Sequence, residues 1–449
     1  MSQGQSPAYK DETLATATRK VKRHLLPMMV FIYFLSFIDR TNVALAKGAF
    51  QADLGITAAM YGFGAGIFFW GYALLEVPSN LLAHRIGPRR WIARIAVTWG
   101  AISALMMFVQ GEWSFYGFRL LLGIAEAGLF PALMYVTTLW FAQRDRAVAV
   151  GWIYTAPALG LTIGNPLGGA LMQLDGLGGL HGWQWMFLLE GVPTVIFGIV
   201  LWFVFPDRPR DAKWLTAAEA DAIEANASGQ GGSHASAHAP SKEWISVLKR
   251  PSTILIALIY FFNQIGFVGL YFFIPSMVQQ MQASTPLMVG LLSSSVGIGF
   301  LLGVLILPRI KRFFESDMVF LGVVTAGLLI SATVFLVTSL PAIQLVLFTT
   351  TAFFAGGILP IFWSIAMKRL QGIQAAAGLA FINTIGLIGG FVGPSVFGLV
   401  ERETGRSASG FVVIAITALL GLILIPVLAR VLRTEARVAD TGVLRASHS

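Results

Sequence analysis

The sequence lacks cysteine and is poor in charged residues. None of its 449 residues is cysteine, so the chain has neither a disulfide framework nor a thiolate metal site. Charged residues make up only 12% of the chain, whereas hydrophobic residues make up 56%. This composition leaves too little polar surface to cover a water-soluble globule. It therefore predicts a protein that is solvated largely by lipid.

Histidine is also scarce, and its distribution argues against a metal site. The six histidines show no ligand spacing along the chain: His24, His84, His181, His234, His238 and His448. A formal net charge of +9 is compatible with a nucleic-acid partner. The basic residues, however, lie in short runs between apolar stretches, where membrane proteins carry them. We therefore expect the lipid bilayer as a partner, no nucleic acid and no metal.

Twelve apolar stretches are long enough to cross a hydrocarbon layer of about 30 Å, which takes about 20 helical residues. The first six lie near residues 25–46, 60–82, 91–110, 115–140, 147–172 and 185–205. The second six lie near residues 252–275, 287–308, 318–338, 342–367, 375–399 and 409–431. The pattern predicts an all-α membrane protein with twelve transmembrane helices in two six-helix halves.

The segments outside these stretches are polar. We expect the following division of the chain: a tail over 1–24, one half over 25–205, a linker over 206–250, the other half over 251–431 and a tail over 432–449. The linker contains a Gly/Ser/His/Ala-rich stretch from Asn226 to Ser241, a composition that cannot bury a core. The first tail has no apolar segment followed by a cleavage site, so no signal peptide is predicted.

Lysine and arginine are unevenly divided between the two sides of the predicted membrane. Lys47, Arg402 and Arg406 fall on one side, while nearly all the others fall on the side that carries the termini and the linker. By the positive-inside rule, both termini are expected in the cytoplasm. We expect a multi-pass, monomeric protein of a bacterial inner membrane.

The two halves share a repeated pattern. Gly128-Leu-Phe-Pro131 in the fourth predicted helix recurs as Gly357-Ile-Leu-Pro360 in the tenth. The two helices are therefore interpreted as counterparts. Two parallel halves of this kind, with a substrate bound between them near the membrane midplane, are typical of one class of secondary transporters.

Four ionisable residues lie within predicted spans. Asp39 and Arg40 are in the first helix, and Arg119 and Glu126 are in the fourth. Such residues cost about 2.5 to 3.5 kcal/mol on insertion scales, so they mark functional sites by default. Asp39 and Arg40 point about 100° apart around their helix, whereas Arg119 and Glu126 share one face at different depths. We expect that face to line a central cavity.

Two interpretations of these four residues are open. In the functional one, an arginine binds a substrate carboxylate while a buried carboxylate takes up and releases a proton. In the structural one, Asp39 with Arg119, or Arg40 with Glu126, forms a permanent ion pair that joins two helices. The functional interpretation is preferred, because the predicted fold supplies a cavity for these charges.

Glu76 and Glu190 are secondary candidates. Glu76 lies near the end of the second predicted helix, and Glu190 follows the tryptophan-rich start of the sixth. For both residues, a role in a helix end or in packing is favoured over a role in chemistry. Gly160 and Gly164 in the fifth helix form a GxxxG pair, which predicts close helix approach.

Five motifs are spread over nearly the whole chain. They read Phe37-Ile-Asp-Arg-Thr-Asn42, Glu76-Val-Pro-Ser-Asn80, Arg119-Leu-Leu-Leu-Gly-Ile-Ala-Glu-Ala127, Trp183-Gln-Trp-Met-Phe-Leu-Leu-Glu190, and Ala376-Ala-Gly-Leu-Ala-Phe-Ile-Asn383 running on to Gly389-Gly-Phe-Val-Gly-Pro394. Together they resemble the anion:cation symporter family of the major facilitator superfamily, in particular its bacterial organic-acid importers. The turn at Ala83-His84-Arg85 departs from the superfamily's loop signature, which normally carries an aspartate.

The resemblance implies the major facilitator fold and import of an organic carboxylate with protons by alternating access. It implies no cofactor besides the coupling ion, for which sodium stays open as an alternative to the proton. Asp39 and Glu126 would be the coupling carboxylates, and Arg119 would modulate Glu126. Arg40 would be the main substrate ligand.

The resemblance also implies three further substrate-binding residues. Tyr72 would lie beside the main ligand, and Trp363 and Asn383 would be the contribution of the second half. Tyr72 and Trp363 carry amphipathic rings, which suit such a pocket. Packing of these two rings in the helix bundle is the alternative.

The residues around this expected pocket look apolar: Phe37, Pro157, Pro360 and Phe362. A polyol against such walls would keep unsatisfied hydroxyl groups, so an aromatic or weakly hydroxylated acid, hydroxyphenylacetate-like or phthalate-like, is favoured. A tartrate or sugar-acid importer is the alternative. A drug exporter is less expected because of the arginines, and an acid sensor because the linker is too short for an output domain. We do not expect an enzyme.

Overall fold

The computed structural model describes residues 7–229, 248–281, 285–369 and 372–446. Over these ranges the chain forms helices and connecting turns, and no strand. Most of the Gly/Ser/His/Ala-rich stretch predicted within the linker lies outside the described residues, as do His234, His238 and His448. The all-α fold class predicted from the sequence is confirmed.

Eight α-helices precede the linker. Their bounds are α1 (Pro7–Leu54), α2 (Ala58–Ile86), α3 (Pro88–Leu105), α4 (Glu112–Glu126), α5 (Leu129–Trp140), α6 (Gln143–Ile153), α7 (Thr155–Leu171) and α8 (Gly182–Val204). A ninth helix, α9 (Ala217–Gly229), lies within the predicted linker. The six that follow are α10 (Pro251–Gln280), α11 (Pro286–Ile310), α12 (Asp317–Val337), α13 (Pro341–Arg369), α14 (Gly372–Thr404) and α15 (Gly410–Ala446).

Eleven stretches in the described part of the chain are long and apolar enough to cross a membrane. They coincide with eleven of the twelve predicted spans. The remaining prediction, 147–172, is covered by α6 and α7 in succession. These two helices have 11 and 17 residues, and they are separated at Tyr154. Neither alone reaches the length of about 20 residues that a span takes.

The fourth predicted helix is also divided, into α4 and α5. Gly128, between them, has a φ of 87°, a left-handed conformation that glycine adopts without strain. On α2, Ser79 Oγ donates a hydrogen bond of 2.6 Å to the Ala127 carbonyl oxygen. A side chain at position 128 would collide with Ser79. The break therefore follows Glu126 directly and fixes its position at the end of α4.

The chain divides into two compact units. The first contains residues 1–43 and 71–236, and the second contains residues 44–70 and 237–449. Helices α1 and α2 each contribute residues to both units. The two halves predicted over 25–205 and 251–431 rest on a different criterion, the apolar periodicity of the sequence, and that division stays a prediction.

In the first unit, α3 and α8 approach closely through glycines. A Cβ atom at Gly191 on α8 would lie 2.5 Å from the backbone nitrogen of Ala104 on α3. A Cβ atom at Gly100 on α3 would lie 3.0 Å from the carbonyl oxygen of Gly191. Backbone contact of this kind through small residues is a common way for membrane helices to pack. It brings the neighbouring side chains of α8 against α3.

Helix α9 belongs to the first unit, and sequence analysis did not predict it. Its residues Ala220 and Ile223 are buried. In the turn before it, the Trp214 ring stacks on the His24 ring of α1 with centroids 4.8 Å apart. The start of the linker is therefore packed against the first unit.

In the second unit, α11 packs against α13 and the end of α1 packs against α10 and α14. Gly299 and Gly303 on α11 lie directly against the backbone of α13. Lys47, near the end of α1, is fully buried, and its Nζ donates to both carboxylate oxygens of Glu401 over 2.7 and 2.5 Å. Its charge also lies 4.4 Å from the centre of the Phe273 ring.

Candidate functional site

Asp39 on α1 is held by two side chains of α3. Its carboxylate accepts hydrogen bonds from Trp99 Nε1 and from Ser103 Oγ. Trp99 and Ser103 are four residues apart and so share one face of α3. Asp39 is only 3% exposed. The carboxylate is therefore anchored at the contact of α1 with α3, by partners that sequence analysis did not name.

Arg40 and Glu126 form an ion pair between α1 and α4. Arg40 Nη2 lies 2.7 Å from Glu126 Oε1, with the two side chains 12% and 1% exposed. The other carboxylate oxygen, Oε2, has no hydrogen-bond partner within the described residues. Glu126 is the last residue of α4, where the negative end of the helix dipole disfavours an anion. The guanidinium compensates this buried negative charge.

Arg119 lies two turns before Glu126 on α4 and is completely buried. It interacts electrostatically with Glu126 and also with Asp39. All four ionisable residues singled out in the sequence therefore come together in the first unit. The pairing of Arg40 with Glu126 is one of the two pairings that the structural interpretation had named.

Tyrosines surround this pair. Tyr72 on α2 is 7% exposed and interacts electrostatically with Arg40, Glu126 and Glu76. Tyr33, one turn before Phe37 on α1, interacts with the same three charged residues. Sequence analysis predicted Tyr72 through the resemblance and missed Tyr33. In the sequence, the signal for Tyr33 is its spacing of seven residues from Arg40, which places the two side chains on the same face of α1.

Helix α7 packs closely against α1 in the first unit. A Cβ atom at Gly164 would lie 2.5 Å from Thr41 Oγ1, and one at Gly160 would collide with Phe37. The GxxxG pair therefore lets α1 approach at the residues that flank Asp39 and Arg40.

Two of the expected apolar pocket walls are packed within the protein. Phe37 is 7% exposed, and the Arg40 guanidinium lies 4.3 Å from the centre of its ring. Phe362 is 2% exposed, and its ring stacks on Tyr260 with centroids 5.0 Å apart. Because these rings are occupied by protein contacts, they give no support to an aromatic pocket.

The second unit carries the two remaining predicted site residues. Trp363 on α13 is half-buried, with its ring centre 5.3 Å from that of Tyr260. Asn383 on α14 is also half-buried. Within the described part of the chain, no group of three or more histidines and carboxylates is placed to hold a metal ion.

The membrane-spanning helices and the buried charge cluster define a class of protein, the multi-pass membrane transporters. The comparison with protein families is specific. The family model described as Major Facilitator Superfamily matches residues 29–394. The chain belongs to this superfamily, and the resemblance predicted from the motifs is confirmed.

Named relatives extend this result. A "Putative tartrate transporter" of Agrobacterium vitis is 38% identical over 93% of this chain and 92% of its own length. A "Quinolone resistance transporter" of Acinetobacter baumannii is 36% identical over 93% of this chain and 94% of its own length. Among solved structures, an inward-facing bacterial homologue of the human lysosomal transporter Spinster matches with a TM-score of 0.69. It is 17% identical, with 92% of this chain and 96% of that one covered, so it supports the fold alone.

Proposed function

We propose that this protein imports an organic carboxylate together with protons across a bacterial inner membrane, with both termini in the cytoplasm. The observation that carries the proposal is the buried ion pair of Arg40 with Glu126. A guanidinium is the group best suited to bind a carboxylate in a membrane protein's interior, because it offers a planar fork of donors. In this structure one nitrogen of that fork, Nη2, is bound to a carboxylate of the protein itself.

The pair supplies a physical link between substrate and proton. A substrate carboxylate that binds Arg40 competes with Glu126 for the same guanidinium. Glu126 is then a buried carboxylate at the end of a helix without its partner, a state that costs several kcal/mol. Uptake of a proton by Glu126 removes that cost. Anion binding therefore favours proton binding, and by linkage the proton favours the anion.

Asp39 is the second proposed coupling carboxylate. Trp99 and Ser103 can hold it in one position whether or not it carries a proton. In the neutral acid, Trp99 Nε1 still donates to the carbonyl oxygen, and the Ser103 hydroxyl can accept from the acid's O–H group. Arg119 adds positive charge near both carboxylates, which suits its proposed role as a modulator.

For the substrate, we favour tartrate or a similar small hydroxylated dicarboxylate. A relative that is 38% identical along nearly the whole chain is named a putative tartrate transporter. The case for an aromatic acid rested on apolar walls, and Phe37 and Phe362 are instead engaged in packing. The preference for an aromatic acid stays an untested alternative. Proton-driven drug export is a second candidate, favoured by the relative named for quinolone resistance.

The coupling role is tested by separating exchange from accumulation. In Glu126→Gln, the side chain cannot change its charge, so we expect substrate counterflow to persist while accumulation driven by a proton gradient is abolished. Glu403→Gln is the matched control, because its carboxylate is 68% exposed and pairs with Arg402 at the surface. Full gradient-driven accumulation by Glu126→Gln would remove Glu126 from the coupling mechanism.

A further inference from the structure

Glu190 on α8 is a buried carboxyl group that the proposed mechanism does not use. It is 6% exposed, and neither of its carboxyl oxygens makes a hydrogen bond of normal geometry among the described residues. Its position in the first unit is fixed, because the next residue, Gly191, lies against the backbone of α3. An isolated buried carboxylate is among the most costly groups in a protein interior. This group therefore requires an explanation.

Asn42 on α1 is the polar side chain that faces Glu190. It is completely buried, and both its amide nitrogen and its amide oxygen lack a hydrogen-bond partner of normal geometry within the described chain. A neutral carboxylic acid can both donate to an amide oxygen and accept from an amide nitrogen. Asn42 and a protonated Glu190 are therefore chemically complementary, whereas an ionised Glu190 can satisfy only the amide nitrogen.

Asp39 connects this pair of side chains to the candidate site. Asp39 and Asn42 are three residues apart, so they lie on neighbouring positions of one face of α1. The charge of Asp39 also acts electrostatically on Glu190. Asp39 also accepts hydrogen bonds from Trp99 and Ser103 on α3, and the charges of Glu126, Arg119 and Arg40 act on it as well. Two carboxyl groups thus share a buried region at the junction of α1, α3 and α8.

We propose that Glu190 is a further proton-binding residue of the transport cycle, coupled to Asp39, with the Asn42 amide as its partner when it is protonated. This inference rests on the proposed function. Two neighbouring buried carboxyl groups titrate as a pair, because the charge of one opposes ionisation of the other. When Asp39 loses its proton, Glu190 keeps its own. When Asp39 is protonated, Glu190 is able to ionise.

Glu190 does not contact the substrate in this scheme. It acts through Asp39, by changing how readily that residue gives up its proton, so it is a positioning residue. Its role is distinct from structural packing in one measurable respect. A packing residue affects the amount of folded protein, whereas a titrating residue affects how transport depends on pH. The experiment must therefore measure a pH profile.

The test compares the wild type with Glu190→Gln in proteoliposomes, with tartrate and 4-hydroxyphenylacetate as probes. Glutamine resembles the protonated acid in shape, so we expect the variant to fold and to retain counterflow. We expect the midpoint of its pH profile for gradient-driven uptake to move to lower pH by about one unit, since coupled sites interact by at least that much. Glu190→Asp should restore the wild-type profile in part, and Asn42→Ala should shift it in the same direction as Glu190→Gln.

The outcomes distinguish this inference from the proposed function. Wild-type accumulation with an unchanged profile in Glu190→Gln would overturn the role of Glu190 alone. Failure of Glu190→Gln to fold would also contradict it, because the scheme requires a protonated form of Glu190, and glutamine has nearly the shape of that form. Absence of gradient-driven uptake in the wild type would overturn the proposed function, and this inference with it.

Discussion

At the scale of single residues, the buried charge of Arg40 must be balanced in every state of the protein. In the described structure its guanidinium binds the carboxylate of Glu126, close to Tyr72. The proposed transport requires that a substrate carboxylate replace that partner without leaving a buried charge uncompensated. The ion pair is thus the resting form of the proposed binding site. A permanent pair corresponds to the structural interpretation of these residues. A pair in which a substrate carboxylate replaces Glu126 corresponds to the functional interpretation.

The first prediction concerns the geometry of the guanidinium. In Arg40→Lys the positive charge stays but the planar fork is lost, and a hydrogen bond to a charged group contributes about 1.5 to 3 kcal/mol. We therefore expect substrate affinity in counterflow to fall roughly 10- to 100-fold. Arg402→Lys is the control, because that side chain is 55% exposed. Unchanged affinity in Arg40→Lys would assign Arg40 to helix packing.

The second prediction concerns the buried ion pair of the second unit. In Glu401→Gln, the completely buried Lys47 loses its carboxylate, and breaking such a pair costs about 3 to 5 kcal/mol. We expect a clearly lower unfolding temperature of the detergent-solubilised protein. Glu403→Gln removes an exposed carboxylate and should leave that temperature nearly unchanged. Equal unfolding temperatures of the two variants would contradict a stabilising role of the buried pair of Lys47 with Glu401.

Sequence analysis identified the ionisable residues of the site but only some of their partners. Asp39, Arg40, Arg119 and Glu126 stand out because charges are rare in apolar spans. Trp99 and Ser103 do not stand out, because tryptophan and serine are ordinary in a membrane helix. Their role depends on the rotation of α3 about its axis, which one sequence does not specify. Their contribution becomes visible only when α1 and α3 are placed side by side.

Lys47 has a partner that was not predicted from the sequence. It lies one residue beyond the predicted end of the first span and was assigned, with Arg402 and Arg406, to one side of the membrane. The helix α1 continues to Leu54, and Lys47 is buried against Glu401. The positive-inside rule counts charges by segment and carries no information about such long-range partners.

At the scale of elements, the structure contains helix breaks and a helix start that the apolar stretches did not predict. The predicted fourth helix is broken at Gly128, and the fifth at Tyr154. Both breaks lie inside continuous apolar runs, so periodicity alone gives no signal for them.

The start of α9 is marked by a capping box. Thr216 Oγ1 accepts from the Glu219 backbone nitrogen over 3.3 Å, and Glu219 Oε2 accepts from the Thr216 nitrogen over 2.8 Å.

The third prediction concerns the pH dependence of α9. Burial acts to raise the pKa of Glu219, but hydrogen bonds from Lys20 and Thr216 outweigh it and hold this pKa below its usual value. Because the pKa is lower in the folded state, the carboxylate stabilises α9 fully above its unfolded pKa of about 4.3. That contribution is lost as the pH falls through the folded value.

The measurement is hydrogen exchange of the α9 amides in Glu219→Gln and in the wild type, at matched pH. We expect faster exchange in the variant at neutral pH, equivalent to about 1 kcal/mol, with the difference shrinking below about pH 4. Glu224→Gln is the control on the same helix, because its carboxylate pairs with the exposed Arg210. A difference that persists unchanged into acid would show that the carboxylate's charge is not responsible.

At the scale of the whole molecule, the sequence predicted the fold class, whereas its prediction of the substrate stays untested. Long apolar stretches report directly on membrane spans, because the hydrocarbon layer sets their length. The family model over residues 29–394 agrees with the class that these spans predict. Substrate choice depends instead on which side chains are exposed in the pocket. Phe37 and Phe362 show the limit, since both are apolar in the sequence yet engaged by protein neighbours in the structure.

The central claim, import of an organic carboxylate with protons, is tested most directly by uptake into proteoliposomes under an imposed inward proton gradient. Tartrate, a sugar acid, phthalate and 4-hydroxyphenylacetate are compared side by side, with a sodium gradient as the parallel condition. We expect accumulation of at least one acid, tartrate foremost, that stops when the proton gradient is collapsed and does not depend on sodium. Accumulation that follows the sodium gradient alone, or quinolone export with no acid accumulated, would contradict it.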